Sequence, residues 1–265
     1  MYDFEYHRPD NLEEASRLLD TGGAKLLAGG MSLLPTIKLR LARYGALVDL
    51  GRIGGLQGIR REGDSLVVGA MTRHAAVAAS SDVRAAIPAL TVLAGGIGDP
   101  LVRNRGTIGG SIANADPAAD YPSSILALGA TVVTDRREIA GDDFFTGLFE
   151  TALQPNEIVR EIRFPIPRRA GYAKYPNPAS RFATVGVLVA ETNAGMRVAV
   201  TGAADFVFRL TEAEAALSKE FSPAALDAIA VDPERLNSDI HTSAEYRAHA
   251  IVVMARRAVQ SAMQG

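Results

Sequence analysis

A chain of 265 residues, 48% of them apolar and 22% charged, is long enough for two or three small units with their own cores and gives no reason to invoke disorder. Its net charge of −2, with Lys and Arg scattered along the chain, argues against nucleic acid as a partner. It holds no cysteine, which excludes disulfides, zinc–thiolate centres and any iron–sulfur cluster ligated by its own thiolates, and no apolar run reaches the roughly 18 residues that a membrane span needs.

The polar stretch MYDFEYHRPDNLEEA lacks an apolar signal core, so the expectation is a cytoplasmic enzyme. Asp10 followed by Glu13 reads as a variant of the capping box, and Leu12, Ala15, Leu18 and Leu19 recur at helical spacing to about residue 20. AKLLAG reads as a buried strand, LLPTIKLRLA as a helix with Pro35 in its first turn, and ALVDL as a second strand. GLQGIRREGDSLVVGA has two alternating segments about the turn REGD, and HAAVAASSDVRAAIPALTVLA follows as one or two helices. Residues 95–124 are rich in glycine and proline, too apolar for a linker and too glycine-rich for a helix. ILALGATVVTD resumes helix then strand, and EIVREIRFPIP is an alternating strand that closes a second unit. TVGVLVAET and MRVAVTGAAD then read as antiparallel strands joined through NAG, followed by helical segments near 211–219, 222–230 and 243–262. The chain thus divides into units 1–55, 56–167 and 168–265, an α+β protein.

Chemistry concentrates at two glycine-rich stretches. At AGGMS, a strand that stops on Gly29 and Gly30 and feeds a helix aims several backbone N–H groups at one spot, and Ser32 adds a hydroxyl. The glycines would let a phosphate touch the main chain, although such turns also occur without any ligand. RNRGTIGGSIANADPAAD offers a second set of donors at Thr107, Gly109, Gly110 and Ser111, with Asn114 and Asp120 nearby. Asp120 would suit sugar or ribityl hydroxyls; equally, Asp116 and Asp120 could cap helices beside Pro117 and Pro122. GxGxxG is absent, because Leu101 stands where the third glycine should be. The four histidines, His7, His74, His241 and His249, are scattered and read as surface or packing residues, and no GxSxG elbow supports a hydrolase.

Together, AGGMSLLP (28–35) and VRNRGTIGGSIANADPAAD (102–120) resemble the two FAD-binding motifs of the medium, flavoprotein subunit of the molybdenum hydroxylases, the family of aerobic carbon monoxide dehydrogenase and xanthine dehydrogenase. The resemblance continues through NEIVREIRFP, KYPNPASRFATVGV, RVAVTGAADFVFRLTEAEAAL and DIHTSAEYRAHAIVVMARRAV. It implies two N-terminal α/β subdomains of the vanillyl-alcohol-oxidase type holding an extended FAD, and a C-terminal domain with a small antiparallel sheet and helices. It also implies that Leu26, Leu27, Ala28, Gly29, Gly30, Met31, Ser32 and Leu33 form the first pyrophosphate loop and that Ile97 and Gly98 lie by the flavin. Thr107, Ile108, Gly109, Gly110 and Ser111 would form the second loop, with Asn114 beside it and Asp120 reaching the ribityl or ribose region. Val159 would pack on the isoalloxazine and Lys174 approach its edge, helping to stabilise negative charge on the reduced ring. Met31 stands where many relatives have histidine, and Ser111 where asparagine or aspartate is frequent.

The resemblance further implies an electron-transfer subunit. A large partner subunit would carry the molybdenum cofactor, a small one two [2Fe–2S] clusters, and this chain would pass electrons from FAD to an external acceptor, within a dimer of heterotrimers. The missing cysteines fit that division. Two other readings stay open on the residues: a self-sufficient flavin oxidase, although no base beside the flavin motifs is evident, and a non-enzymatic assembly or ligand-binding module that has lost FAD.

Overall fold

Three main sheets, with one two-stranded sheet inserted in the second unit, follow one another along the chain in this computed structural model, which describes residues 1–20 and 22–264. The first sheet is parallel, in the order β1 (Glu5–His7), β3 (Ala46–Asp49), β2 (Ala24–Leu27), with helix α1 (Leu12–Asp20) crossing between β1 and β2. The cap of α1 sits one residue later than the sequence suggests. Asn11 Oδ1 accepts from the Glu14 N–H, and the Glu14 carboxylate accepts from the Asp10 N–H, because Asn11 is the residue just before the first helical turn. Helix α2 (Leu33–Lys38) stops short of the expected end at residue 42, since Arg40 takes a left-handed φ of 61°.

The second sheet is antiparallel, and its first two strands, β4 (Ile59–Glu62) and β5 (Ser65–Gly69), form the expected hairpin. Three short helices then stand where one or two were expected: α3 (His74–Ala79), α4 (Ser81–Ala86) and α5 (Pro88–Gly95). The breaks fall at Ser80, whose Oγ caps α4 by accepting from Val83 N–H, and at Pro88, which can only start a helix. The glycine-rich stretch, expected to be non-helical, instead forms α6 (Pro100–Arg105), α7 (Ile108–Asn114) and the start of α8 (Tyr121–Ala127). Side-chain caps from Asp99 and Thr107 offset the low helix propensity of glycine there. The strands β6 (Thr131–Thr134) and β7 (Glu138–Ala140), helix α9 (Gly141–Phe144), the small hairpin of β8 (Phe145–Gly147) and β9 (Glu150–Thr151), and β10 (Val159–Pro165) complete the unit. The sheet runs β4-β5-β10-β6-β7, with β10 at its centre.

The third sheet is antiparallel in the order β11 (Arg169–Pro176), β12 (Ala183–Thr192), β13 (Gly195–Thr201), β14 (Phe208–Arg209). Helices α10 (Thr211–Lys219) and α11 (Ala244–Gln264) follow, while the segment expected as a helix over 222–230 makes only a 3-10 turn at Pro223–Leu226. Both faces of β12 are buried, as its continuous apolar run dictates. Leu188 and Ala190 join a core shared with Leu90 and Leu93 of α5 and Ile125 of α8, whereas Val185, Val187 and Val189 meet Ile251, Met254 and Ala258 of α11. Each of the Val, Leu, Ile and Met side chains among these contributes about 1.5–3 kcal/mol by burial, so the third sheet is fixed between the second unit and α11.

Helix α11 rides on β11 so closely that a Cβ on Gly171 would lie 2.0 Å from the Ala258 carbonyl oxygen. Gly171→Ala is therefore expected to destabilise the fold by about 1–3 kcal/mol through overpacking, read as a lower urea midpoint; an unchanged midpoint would contradict this packing.

Candidate functional site

The first loop leaves β2 after Leu27, turns at Gly30 with a φ of 73°, and enters α2. Among the described residues, the N–H groups of Gly29, Gly30, Met31, Ser32 and Leu33 donate to no protein group. The second loop differs from the sequence expectation. Its Ile108 and Gly109 N–H groups donate to the carbonyls of Thr72 and Ala70, at 3.1 and 2.8 Å, and those of Gly110 and Ser111 donate to Thr107 Oγ1 and the Thr107 carbonyl. Its donors therefore tie it to the end of β5 instead of standing free. What it still offers is the Thr107 N–H, the Ser111 hydroxyl and the Asn114 amide, none of which bonds within the described residues.

The glycines also act differently from the expectation that their bareness serves the ligand. A Cβ on Gly29 would lie 2.2 Å from the Arg105 carbonyl oxygen and 2.7 Å from Gly106 Cα, so the space is taken by the protein's own backbone. A Cβ on Gly109 would meet Ala70 Cβ at 2.5 Å. The first loop is thus drawn onto the second, and the second onto β5.

Between them opens a cleft of about 870 Å³, within the ~300–1,000 Å³ usual for cofactor and ligand sites. Leu26, Ala28 to Leu33, Ile97, Gly98, Thr107, Gly109 to Ser111, Asn114, Asp120 and Val159 all line it. Leu27, Ile108 and Lys174 do not. The Leu27 side chain packs beneath Gly30, Ile108 is fully buried in the core, and Lys174 stands behind Asp120. The cleft also takes in residues that the sequence did not assign to the site, among them Tyr44, His74, Phe149, Glu157, Arg181 and Phe182. Phe149, Asn156 and Arg181 line it with left-handed φ values of 56°, 63° and 62°. Non-glycine residues held in that region are strained, and strain of this kind gathers at functional sites.

Asp120 is 4% exposed and accepts from the Tyr172 hydroxyl at 2.5 Å and from Lys174 Nζ at 2.9 Å, while Lys174 Nζ also donates to the Gly96 carbonyl at 3.0 Å. Burial pushes the Asp120 carboxyl up from its ordinary range, against the pull of Lys174. Asp120 makes no side-chain cap on α8; Asp116, by contrast, does accept from the Ala118 N–H. Glu157 is held by Arg137, Thr134 Oγ1 and the Gln154 N–H. Burial alone would raise its carboxyl, but these donors outweigh it and bring it down to about 2. The clamp fixes the segment 154–158 that forms one wall. His74 is 5% exposed, and burial together with Arg103 lowers its pKa to about 4, so the ring is neutral.

Residues 2–167 match the family described as FAD binding domain in molybdopterin dehydrogenase. The carbon monoxide dehydrogenase medium chain of Hydrogenophaga pseudoflava is 38% identical over 98% of this chain and 96% of its own length. The chain belongs to this FAD-binding family of molybdopterin dehydrogenases. The nicotine 6-hydroxylase medium subunit of Paenarthrobacter nicotinovorans is 35% identical over 97% of this chain and 96% of its own length. The α+β fold superposes on reconstituted CO dehydrogenase from Oligotropha carboxidovorans with a TM-score of 0.90 and 35% identity, covering 99% of this chain and 98% of that one.

The cleft fits the family's cofactor, FAD. A row of unengaged N–H groups suits a pyrophosphate, a buried carboxylate at the wall suits hydroxyls, and Val159, Ile97 and Ile158 give an apolar lining for rings. The chain is an oxidoreductase subunit, and no helix among the described residues is long and apolar enough to cross a membrane.

Gly29→Ala should force the loops apart and weaken FAD binding by about tenfold or more, from a clash worth ~1–3 kcal/mol; flavin fluorescence titration reads it, and an unchanged Kd would contradict the loop contact. Because the folded Glu157 carboxyl is depressed, its contribution to stability is complete above the ordinary carboxylate range and is lost as pH falls toward about 2. Urea midpoints measured between pH 7 and 3 should therefore fall less for Glu157→Gln than for the wild-type chain; parallel profiles would contradict the clamp.

Proposed function

We propose that this chain is the electron-exit subunit of a cytoplasmic molybdenum hydroxylase complex. Substrate is oxidised at the molybdenum cofactor of a large subunit, electrons cross [2Fe–2S] clusters of a small subunit, and they leave through this chain to an external acceptor. The observation that carries the reading is the cleft between two glycine-locked loops, one of which presents unengaged backbone donors. The medium-chain names of relatives that match over nearly their full length support it, as does a sequence without cysteine, which leaves the clusters to a partner. The assembly is a dimer of heterotrimers. The three sheets support 1–55, 56–167 and 168–265 as the domains.

When bound, FAD supplies the redox chemistry, and the protein contributes position and electrostatics. The N–H groups of Gly29 to Leu33 receive the pyrophosphate, with Ser32 as an added hydroxyl donor. Asp120 accepts hydroxyls of the ribityl or ribose part, and Val159, Ile97 and Gly98 border the flavin. Lys174 acts from behind Asp120, where its ammonium neutralises a carboxylate that would otherwise place an uncompensated charge at the wall.

The test is the visible spectrum of the purified full chain, with release and chromatographic identification of its flavin. Stoichiometric FAD is expected; a chain that takes up none from excess would overturn the proposal. Asp120→Asn should cost about 1–3 kcal/mol by removing the charged partner of the partly buried Lys174. Adding Lys174→Met should restore the urea midpoint without restoring FAD affinity. A double variant that binds FAD like the wild-type chain would make Asp120 purely structural.

A further inference from the structure

One wall residue of the cleft has no part in the scheme above. His74 opens α3, is 5% exposed and lines the cleft. Its Nδ1 is sealed from solvent without a hydrogen-bond partner, whereas Nε2, which makes no hydrogen bond among the described residues, is not sealed. The ring edge that carries Nε2 and Cδ2 is turned toward Gly106, where a Cβ would lie 2.6 Å from Nε2 and 2.8 Å from Cδ2. Gly106 is the same residue that Gly29 touches from the first loop. The His74 N–H donates to the Gly106 carbonyl at 3.0 Å, and Arg73 bridges Thr107, so the ring is pinned where the two loops meet.

A buried nitrogen without a partner is costly, and Nε2, unsealed and unpaired, is the atom that a ligand in the cleft can reach. The loop beside it has the matching deficit, because Ile108, Gly109, Gly110 and Ser111 have committed their N–H groups within the protein. An anion lying along the first loop's donors would find on the other side the Thr107 N–H, the Ser111 hydroxyl, the Asn114 amide and this ring.

We propose that His74 is a further cofactor-binding residue, its Nε2–H donating to a pyrophosphate oxygen of FAD at the junction of the two loops. The proposal rests on the FAD reading of the cleft. A neutral imidazole carries its proton on one nitrogen, so a proton on Nε2 leaves Nδ1 as an acceptor. The neighbouring ring of Tyr121, with its centroid 5.3 Å away, carries a buried hydroxyl that also lacks a partner.

The test compares the full wild-type chain, freed of flavin, with His74→Phe and His74→Gln. FAD binding is followed by flavin fluorescence and ADP binding by calorimetry. His74→Phe keeps an aromatic ring, somewhat larger and without nitrogens, and should raise the Kd of FAD and ADP by the same factor, about 10–100-fold, as expected for a lost hydrogen bond to a charged group. His74→Gln, which returns an N–H near Nε2, should recover part of both, and the melting temperatures of the flavin-free variants should stay near that of the wild-type chain. Unchanged affinities would overturn the proposal. A loss confined to FAD, with ADP unaffected, would also overturn it by placing the ring at the isoalloxazine. Should His74→Phe not fold, 15N spectra of the wild-type imidazole decide: the Nε2 resonance must move when ADP is added, and a static resonance overturns the assignment. A wild-type chain that binds neither ligand would overturn the FAD reading itself, a result distinct from a loss specific to the variants.

Discussion

The cleft depends on a contact between two stretches of backbone, Gly29 against Arg105 and Gly106. With no Cβ at Gly29, the turn after β2 settles directly onto the end of α6, and the first sheet is joined to the second unit at the point where the ligand wall begins. Everything downstream is placed relative to that contact. Gly109 against Ala70 ties the second loop to β5, and Ile108, one residue earlier, anchors in the core.

The two loops therefore divide the work. The first keeps its N–H groups unengaged and supplies the donors, while the second commits its own to Ala70, Thr72 and Thr107 and supplies rigidity. Rigidity at the wall matters because a binding group held in advance loses less freedom when the ligand arrives. The Glu157 clamp does the same for the segment before β10, and the pairing of Asp120 with Tyr172 and Lys174 reaches from the wall into β11. Since β12 buries both faces, β11 cannot shift without disturbing α11 on one side and the core around α5 and α8 on the other.

Much of the fold was legible in the sequence because apolar period decides it: the hairpin about REGD, the buried run of β12 and the long final helix all follow from pattern alone. The elements that escaped are those held by distant partners. RRAGYAKYP shows no strand alternation, because Gly171 is bare to admit α11 and Lys174 turns to Asp120. Helix α7 contains two glycines and stands because of Thr107 and the end of β5, which no local propensity reports. At the site, the motif residues were readable but their reasons were not. Gly29 looked like room for a ligand, yet the atom it makes room for belongs to Arg105, far along the chain. His74 carried no signal at all, since a single histidine in TRHAAV acquires meaning only from the loop folded over it.

The central claim, that the first loop's amides are held for the ligand while the amides of Ile108 to Ser111 brace the second loop, is tested most directly by amide hydrogen exchange on the full chain with and without FAD. The amides of Gly29 to Leu33 should exchange readily in the flavin-free chain and become protected when FAD binds, while those of Ile108 to Ser111 should be protected in both. No FAD-dependent protection at Gly29 to Leu33, or second-loop amides that are open until FAD arrives, would contradict the account.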